Sequence, residues 1–226
     1  MKKFLNIAID GPAGAGKSTI AKAVAKELGI LYLDTGAMYR ALALKAIREG
    51  IDPNDREKVI PLLERTEIFA KNIQGTQHTY LDEEDVSGLI RTNEISKGAS
   101  DISAIPAVRI KLAQYQRDIA HASDVVMDGR EIGSYVIPEC ENKFYVTASV
   151  DERARRRLSE LRERGQDMNK TIEEMAAEIA QRDHNDSTRE FAPLKRVPDA
   201  ILVDTTDLTI EEAVGAVLKG IKREER

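Results

Sequence analysis

The chain has 226 residues, a length that suits one medium α/β unit or a core with one insertion and excludes a large multidomain protein. Its 34 Lys and Arg residues against 39 Asp and Glu residues give a net charge of −5, the wrong sign for a protein that grips nucleic acid through many phosphates. With 42% hydrophobic and 32% charged residues, the chain can build a sizeable core, which argues against wholesale disorder.

The sequence gives no indication of a membrane or secreted protein. No apolar run approaches the roughly 18 residues that a membrane span requires. Residues 1–11 carry two lysines and a brief apolar run without a small-residue cleavage site, so we interpret them as the start of a strand rather than a signal peptide. Cys140 is the single cysteine, which leaves it no disulfide, zinc or redox partner. We expect a cytoplasmic protein, and a monomer because no uncommitted apolar stripe is evident.

Two strand-to-helix units are predicted at the start of the chain. Residues 4–10 are apolar and β-prone, as expected for a strand buried on both faces of a parallel sheet. The predicted elements that follow are a glycine loop at 11–16, a helix at 17–28 ended by Gly29, a strand at 30–33 that reaches Asp34, and a helix at 37–49 ended by Gly50.

The middle of the chain changes character and then returns to alternating strands and helices. Short β-like runs at 66–71 and 76–81 flank Gln74-Gly75 and predict an antiparallel hairpin inserted in the α/β pattern. Further predictions are one or two short helices within 82–100, helices at 105–120, 153–164, 172–182 and 209–219, and strands at 124–128, 144–150 and 200–204. Five parallel strands with intervening helices indicate a three-layer α/β fold with a small antiparallel β insertion.

The clearest chemical motif is the run from Gly11 to Ser18, which fits GxxxxGK[ST] at every fixed position. Such glycines let successive backbone N–H groups and the helix N-terminus converge on phosphate oxygens, while Lys17 adds a positive charge and Ser18 can bind Mg²⁺. A chance match in a glycine-rich turn is the alternative, but the motif follows a strand and opens a helix. It therefore predicts a P-loop that binds nucleotide phosphates, without naming a reaction.

Among P-loop proteins, a small-molecule kinase fits best. A GTPase would carry a guanine-reading NKxD segment, whereas Asn142-Lys143 is followed by Phe144-Tyr145. ATPase motors are normally larger and carry additional sensing segments.

Two further clusters of polar residues follow predicted strands, where ligands bind in open α/β sheets. The segment 34–40 combines Asp34, Thr35 and Arg40, although an ordinary helix start would use the same residue types. The apolar strand ending in Asp128 resembles a Walker-B carboxylate near Mg²⁺ or the acceptor, with Arg130 aimed at the same crevice, although Asp-Gly is also common in turns.

Six arginines lie between residues 153 and 164, at positions 153, 155, 156, 157, 162 and 164. Intervening glutamates make a salt-bridged surface helix the default interpretation. One or two of these arginines are candidates for donors to a transferring phosphoryl group on a mobile flap. Arg182, Asp183, Asp186 and Arg189 form another charged set, for which solvation is the default, and the three scattered histidines receive no role.

Read in order, segments 11–18, 34–40, 128–130, 182–189, 192–194 and 199–200 resemble the bacterial cytidylate kinase family over nearly the whole chain. The resemblance implies transfer of the γ-phosphate of MgATP to CMP or dCMP. It implies a P-loop fold with a five-stranded parallel sheet, an acceptor-binding region that holds the antiparallel insertion, and a helical lid. The implied parts are a core at about 1–35, 105–150 and 190–226, an acceptor-binding insertion at about 36–104 and a lid at about 153–185.

The resemblance also assigns residues. It implies ATP binding by Gly11, Pro12, Ala13, Gly14, Ala15, Gly16, Lys17, Ser18 and Thr19, and a Mg²⁺ ligand in Ser18. It implies CMP binding by Thr35, Tyr39, Arg40, Ser100, Arg109, Asp128, Arg130, Glu131, Arg182, Asp186 and Arg189, and catalytic roles for Lys17, Asp128, Arg157, Arg182 and Arg189. Thr35 would read the cytosine edge, Arg40 and Arg109 would hold the acceptor phosphate, and Arg157 would be the lid arginine nearest ATP. The family pattern has Asp where this chain has Glu131, which leaves a direct substrate contact by Glu131 open.

Phosphoryl transfer of this kind needs little covalent work, because an acceptor phosphate oxygen is already nucleophilic near neutral pH. Asp128 is therefore not expected to be an obligatory base.

One alternative function is a P-loop kinase for another small acceptor, such as UMP, AMP, shikimate or dephospho-coenzyme A. The other is a nucleotide-binding regulatory or RNA-associated protein without turnover, which the acidic charge and the absence of Trp disfavour.

Overall fold

The computed structural model describes residues 4–163, 165 and 169–222. The strands of this part of the chain are β1 Asn6–Asp10, β2 Leu31–Asp34, β3 Ile68–Ile73, β4 Thr76–Leu81, β5 Glu84–Asp85, β6 Val125–Gly129, β7 Asn142–Thr147 and β8 Ile201–Asp204. The α-helices are α1 Lys17–Leu28, α2 Thr35–Arg48, α3 Arg56–Glu64, α4 Asn93–Ser103, α5 Pro106–Ala122, α6 Val150–Glu163, α7 Ile172–Thr188 and α8 Ile210–Gly220, and a π-helix spans Ile132–Val136.

The predicted parallel sheet is confirmed, with five strands in the order β2-β6-β1-β7-β8. Strand β1 lies at its centre. The next two strands of the sheet along the chain, β2 and β6, lie on one side of β1, and the last two, β7 and β8, lie on the other. In register, Asp34 lies beside Asp128, and Asp10 lies beside Gly129. Three carboxylates thus meet at the carboxyl edge of the sheet, at a point where the strand order reverses and ligands bind in such folds.

Helices cover both faces of this sheet, which confirms the three layers. Alternate residues of β1 point to opposite faces, as the strand period requires. Ile7 and Ile9 join a cluster with α1 and α8, whereas Ala8 joins Met127 and a cluster with α5 and the π-helix. Among the described residues, no helix is both long enough and apolar enough to cross a membrane.

The predicted hairpin is also confirmed, as part of a three-stranded antiparallel sheet, β3-β4-β5. Gln74 and Gly75 at its tip have φ angles of 52° and 80°, the left-handed pair that a two-residue hairpin turn of type I′ requires. Sequence reasoning missed β5, which has two residues, and α3, whose interior Pro61 obscures the helical pattern. Helices α2, α4 and α5 share a buried apolar cluster with this sheet.

Several predicted boundaries differ from the structure for local reasons. Helix α2 begins at Thr35, two residues before its predicted start at residue 37. The reason is that the Asp34 side chain caps it by accepting a hydrogen bond from Ala37 N at 3.0 Å. Strand β7 ends at Thr147 and α6 starts at Val150, so the predicted strand at 144–150 was too long. Helix α7 continues to Thr188, six residues beyond its predicted end. Arg164 lies outside the described residues.

Two buried polar side chains tie β1 to the region after β6. The carboxylate of Asp10 accepts hydrogen bonds from Ile132 N at 2.8 Å and Gly133 N at 2.7 Å, and burial raises its pKa to about 6. The Cys140 thiol donates to the carbonyl of Asn6 at 3.0 Å, and burial raises the pKa of this thiol to about 11. Asp10 therefore anchors the start of the π-helix at the end of the central strand.

Replacing Asp10 with Ala should lower the free energy of unfolding by about 2–4 kcal/mol at pH 7, because two buried N–H groups lose their acceptor. Urea denaturation checks this, with the exposed Asp207→Ala as the control, for which little change is expected. Since the folded pKa of Asp10, about 6, exceeds its ordinary 3.8, the wild-type carboxyl contributes less stability as pH rises through this interval. The difference between wild type and variant should narrow over that range, and a widening difference would contradict the assignment.

Candidate active site

The phosphate-binding loop lies between β1 and α1, as its motif predicts. Gly11 has a φ of 148°, and a Cβ atom there would lie 1.9 Å from the carbonyl oxygen of Val146 on β7, so only glycine fits. Gly16 precedes α1 in the left-handed conformation, with a φ of 84°. The loop therefore curls tightly against the sheet and leads directly into the N-terminus of α1, where backbone N–H groups favour bound anions.

Lys17 is nearly buried inside this loop. Its Nζ donates a hydrogen bond to the carbonyl of Pro12 at 2.6 Å. Burial lowers the pKa of Lys17 well below its ordinary value, and the charges of Arg130 and Arg182 lower it further, while Asp128 opposes them. Asp186 also opposes them, so charges of both signs lie near the Lys17 ammonium, and a bound phosphate would offset the cost of burying it.

Asp128 at the end of β6 is held from both sides. Ser18 Oγ donates to Asp128 Oδ2 at 2.7 Å, and the hydroxyl of Tyr32 on β2 donates to Asp128 Oδ1 at 2.8 Å. Burial, and then the charge of Asp34, raise the pKa of Asp128. Tyr32 was not predicted as a site residue, since only strand register brings β2 beside β6.

The oxygens of Ser18 and Asp128 suit a small hard cation such as Mg²⁺. Among the described residues, no group of three or more His, Cys, Asp or Glu side chains is arranged to hold a metal ion. This donor set therefore fits Mg²⁺ that arrives with nucleotide phosphates and keeps some of its water ligands, rather than a cation caged by protein.

On the other side of Asp128 lies the predicted acceptor segment at the start of α2. The hydroxyl of Thr35 donates to the backbone carbonyl of Asp128 at 2.8 Å, so its oxygen can still accept a hydrogen bond. Arg40 Nη2 donates to Asp34 Oδ2 at 2.7 Å. A Cβ atom on Gly129 would lie 2.9 Å from Thr35 Oγ1, so the absence of a side chain at Gly129 leaves room for this hydroxyl.

Glu131 is the centre of a buried cluster of donors. It accepts hydrogen bonds at Oε1 from Arg109 Nη1 and from the hydroxyl of Tyr39, the latter at 3.2 Å, and at Oε2 from Arg189 Nη2 at 3.2 Å. Arg109 is only 2% exposed, and this carboxylate compensates its charge. The structure thus gives Glu131 a role in holding two predicted site arginines.

A second acid, Asp186 on α7, contacts two of the predicted site arginines. Arg130 Nε donates to Asp186 Oδ2 at 2.9 Å, and Arg189 Nη1 lies 3.4 Å from Asp186 Oδ1. Arg182 differs from both, because its Nε is buried without a hydrogen-bond partner. Burial and the neighbouring charge of Arg130 lower the pKa of Arg182 to about 10, so its guanidinium is still charged at neutral pH.

The arginines of α6 divide into two groups. Arg155 and Arg162 lie on the exposed surface, in keeping with the default interpretation. Arg153 is buried, where Nη1 donates to the carbonyl of Ala13 in the phosphate-binding loop at 3.1 Å and Nη2 pairs with Asp183 at 2.7 Å. It was not singled out from the sequence because its charge pattern matches that of its neighbours.

Arg156, like Arg153, lies beside the phosphate-binding loop. Arg156 donates to the side chain and the carbonyl of Thr205 at 3.0 and 2.7 Å, and its Nη1 lies 3.9 Å from where a Cβ of Gly16 would stand. Arg157 Nη2 instead donates to Asn93 Oδ1 on α4 at 3.2 Å. The expectation that Arg157 is the lid arginine nearest ATP stays a prediction.

Two predicted residues lie apart from these hydrogen-bonded clusters. Thr19 is exposed on the first turn of α1. Ser100 lies on α4, where its carbonyl accepts a hydrogen bond from Ser103 Oγ at 2.7 Å. Among the described residues, its hydroxyl makes no hydrogen bond with the other predicted site residues.

Known proteins resemble this chain over nearly its whole length. The family model described as cytidylate kinase matches residues 7–223. A cytidylate kinase of Caldicellulosiruptor saccharolyticus is 51% identical over 97% of this chain and 96% of its own length. A cytidylate kinase of Caldicellulosiruptor bescii is 49% identical over the same shares, and one of Bacillus pumilus is 45% identical over 100% of both chains. The resemblance seen in the motifs is confirmed, and the chain belongs to the cytidylate kinase family.

Proposed function

We propose that this protein is an ATP-dependent kinase that transfers the γ-phosphoryl group of ATP to CMP or dCMP, giving ADP and CDP or dCDP. Membership of the cytidylate kinase family supports the reaction class and the acceptor. The observation that carries the proposal is the phosphate-binding loop with its buried Lys17, where Ser18 Oγ donates to Asp128 Oδ2 at 2.7 Å and Asp34 of the acceptor segment lies beside Asp128 in the sheet.

The proposal divides the chain into working parts. Residues 1–35, 105–150 and 190–226 would form the core, residues 36–104 would bind the acceptor, and residues 153–185 would form a lid that excludes water during transfer. Asn93 and Arg157, which are hydrogen-bonded to one another, lie in the acceptor part and the lid respectively. The single cysteine favours a reducing cytoplasm, and we keep the expectation of a monomer.

The phosphate-binding loop would hold the donor. Its backbone N–H groups and the Lys17 ammonium would contact the β- and γ-phosphates, with Ser18 and Asp128 positioned to hold Mg²⁺. When bound, Mg²⁺ would neutralise part of the negative charge of the nucleotide phosphates. Arg153 donates to the Ala13 carbonyl and so keeps the loop in shape from the lid side.

The acceptor would enter between α2, α5 and the end of β6. Arg40 and Arg109 have guanidinium groups held by Asp34 and Glu131, and a CMP phosphate would take up part of their hydrogen-bonding capacity. Thr35 donates to the carbonyl of Asp128 and Arg130 to that of Gly129, so both lie at the end of β6, where they would read the base. Glu131 would act mainly by orienting Arg109 and Arg189.

Transfer itself would depend on charge and alignment. The partnerless Nε of Arg182 is a ready donor to the transferring group, whose negative charge spreads over its equatorial oxygens. Arg189 and Arg157 would add to this field. Since the acceptor phosphate is already nucleophilic, Asp128 would hold Mg²⁺ and Ser18 rather than remove a proton.

The substrate assignment is tested by ADP release from MgATP with CMP, dCMP, UMP, AMP and no acceptor in parallel. We expect fast turnover with CMP and dCMP, slower turnover with UMP and almost none with AMP or water. A preference for AMP or UMP would keep a P-loop kinase but refute the roles given to Thr35 and Arg130. No turnover with any of them would refute the proposed function.

The Lys17→Ala variant should keep its fold and lose most turnover, by about 100-fold or more, because a preorganised charge at the transferring phosphate is lost. Circular dichroism and the coupled assay check both statements. The exposed Lys26→Ala on the same helix is a matched control, for which near-normal rates are expected. A folded Lys17→Ala protein with near-normal kcat would contradict the role of the loop.

Replacing Arg182 with Met should separate stability from activity. Arg182 is half-buried with its Nε enclosed and unpaired, and the charge of Arg130 outweighs that of Asp186, so removing its charge should raise the melting temperature of the ligand-free protein by about 2 °C. The same change should lower kcat by about 100-fold or more. Thermal unfolding and the coupled assay measure the two effects, with the exposed Arg56→Met as control. A marked fall in melting temperature would show that Arg182 stabilises the empty site instead.

A further inference from the structure

Strand β2 is an edge strand of the central sheet, and its outer backbone edge faces the inserted hairpin. Within the part of the chain that the structure describes, its one partner strand is β6. An open strand edge leaves backbone N–H and C=O groups without sheet partners. At the last residue of β2, Asp34, these groups are satisfied by a side chain of the insertion.

That side chain is Gln77 of β4. The backbone N–H of Asp34 donates to Gln77 Oε1 at 2.6 Å, and Gln77 Nε2 donates to the carbonyl of Asp34 at 3.3 Å. One amide side chain thus makes both of the hydrogen bonds that a paired strand residue would make. Thr79 on the same strand lies 3.4 Å from Gln77 Nε2 and helps to set the orientation of the amide.

The residue held in this way carries much of the acceptor site. The Asp34 carboxylate caps α2 through Ala37 N and holds Arg40 at 2.7 Å. Thr35 is the next residue in the chain. Fixing the backbone of Asp34 therefore fixes the starting point of Thr35 and Arg40, which would face CMP from α2.

A cavity of about 730 Å³ lies beside this contact, between the hairpin and the core. Its lining includes Lys22, Lys26, Asp34, Asn72, Thr76 and Gln77. Because this space separates the hairpin tip from α1 and β2, continuous side-chain packing does not join them there. The Gln77 amide is a localised link across a gap.

We propose that Gln77 is a positioning residue for the acceptor site, which clasps the inserted hairpin to the end of β2 and holds Thr35 and Arg40 in place for CMP. The proposal rests on the function proposed above. Gln77 would act through the backbone of Asp34 and would not touch the donor nucleotide. Its loss should weaken acceptor binding selectively.

The first test compares Gln77→Leu with the wild-type enzyme. Leu has a similar size but can neither donate nor accept a hydrogen bond, so two bonds to Asp34 are lost. We expect the KM for CMP to rise about tenfold and the KM for ATP to change by less than about twofold. Gln114→Leu on the exposed face of α5 is the matched control, with both KM values unchanged.

A second variant, Gln77→Glu, distinguishes the loss of a hydrogen bond from a general loss of packing. The carboxylate preserves the shape and can accept from Asp34 N, but it places an oxygen against the Asp34 carbonyl. We expect a rise of at least about threefold in the KM for CMP, with a melting temperature close to that of the wild type. Wild-type values for CMP in both variants, or equal rises for CMP and ATP, would overturn the proposal.

Hydrogen exchange gives a measurement that does not depend on catalysis. In the Gln77→Leu protein, the Asp34 amide has no acceptor and should exchange at least about tenfold faster, while the amides of β1 are unaffected. Unchanged exchange at Asp34 would overturn the clasp even if the enzyme is active. A wild-type protein that does not phosphorylate CMP would refute the proposed function, and the exchange result would then decide the structural role of Gln77 separately.

Discussion

The site is organised by the need to compensate positive charge that is buried. Lys17, Arg109 and Arg153 are each at most 5% exposed, and a cation removed from water is tolerated only beside oxygen partners. The chain supplies a backbone carbonyl to Lys17, Glu131 to Arg109, and both a carbonyl and Asp183 to Arg153. These partners fix where each guanidinium or ammonium group stands before any substrate is present.

This arrangement explains why acids and arginines alternate across the crevice. Glu131 and Asp186 each serve two arginines, so one carboxylate fixes a pair of donors at a defined separation. Preorganised donors need little rearrangement when negative charge develops between them. The compensation is incomplete around Arg182, where a buried N–H is left open, and that incompleteness is where an anionic ligand has most to contribute.

The fold was largely predictable because its signals are local. The glycine loop, the residues that end β2 and β6, and the hairpin turn are written in consecutive residues. What could not be predicted depends on partners distant in sequence. Tyr32 meets Asp128 and Gln77 meets Asp34 only after strands are placed side by side, and Arg153 and Arg156 differ from Arg155 only in which side of α6 faces the loop. The π-helix similarly depends on Asp10, which lies more than 100 residues earlier.

The buried thiol of Cys140 has a practical consequence. Thiol reagents attack the thiolate, and a pKa of about 11 leaves this sulfur almost wholly protonated at neutral pH, while its burial shields it from reagents. A cysteine introduced on the surface of α7 and another on the hairpin would therefore be the groups that react with a fluorescent dye pair. Distances between α7 and the hairpin could therefore be measured by energy transfer without first replacing Cys140.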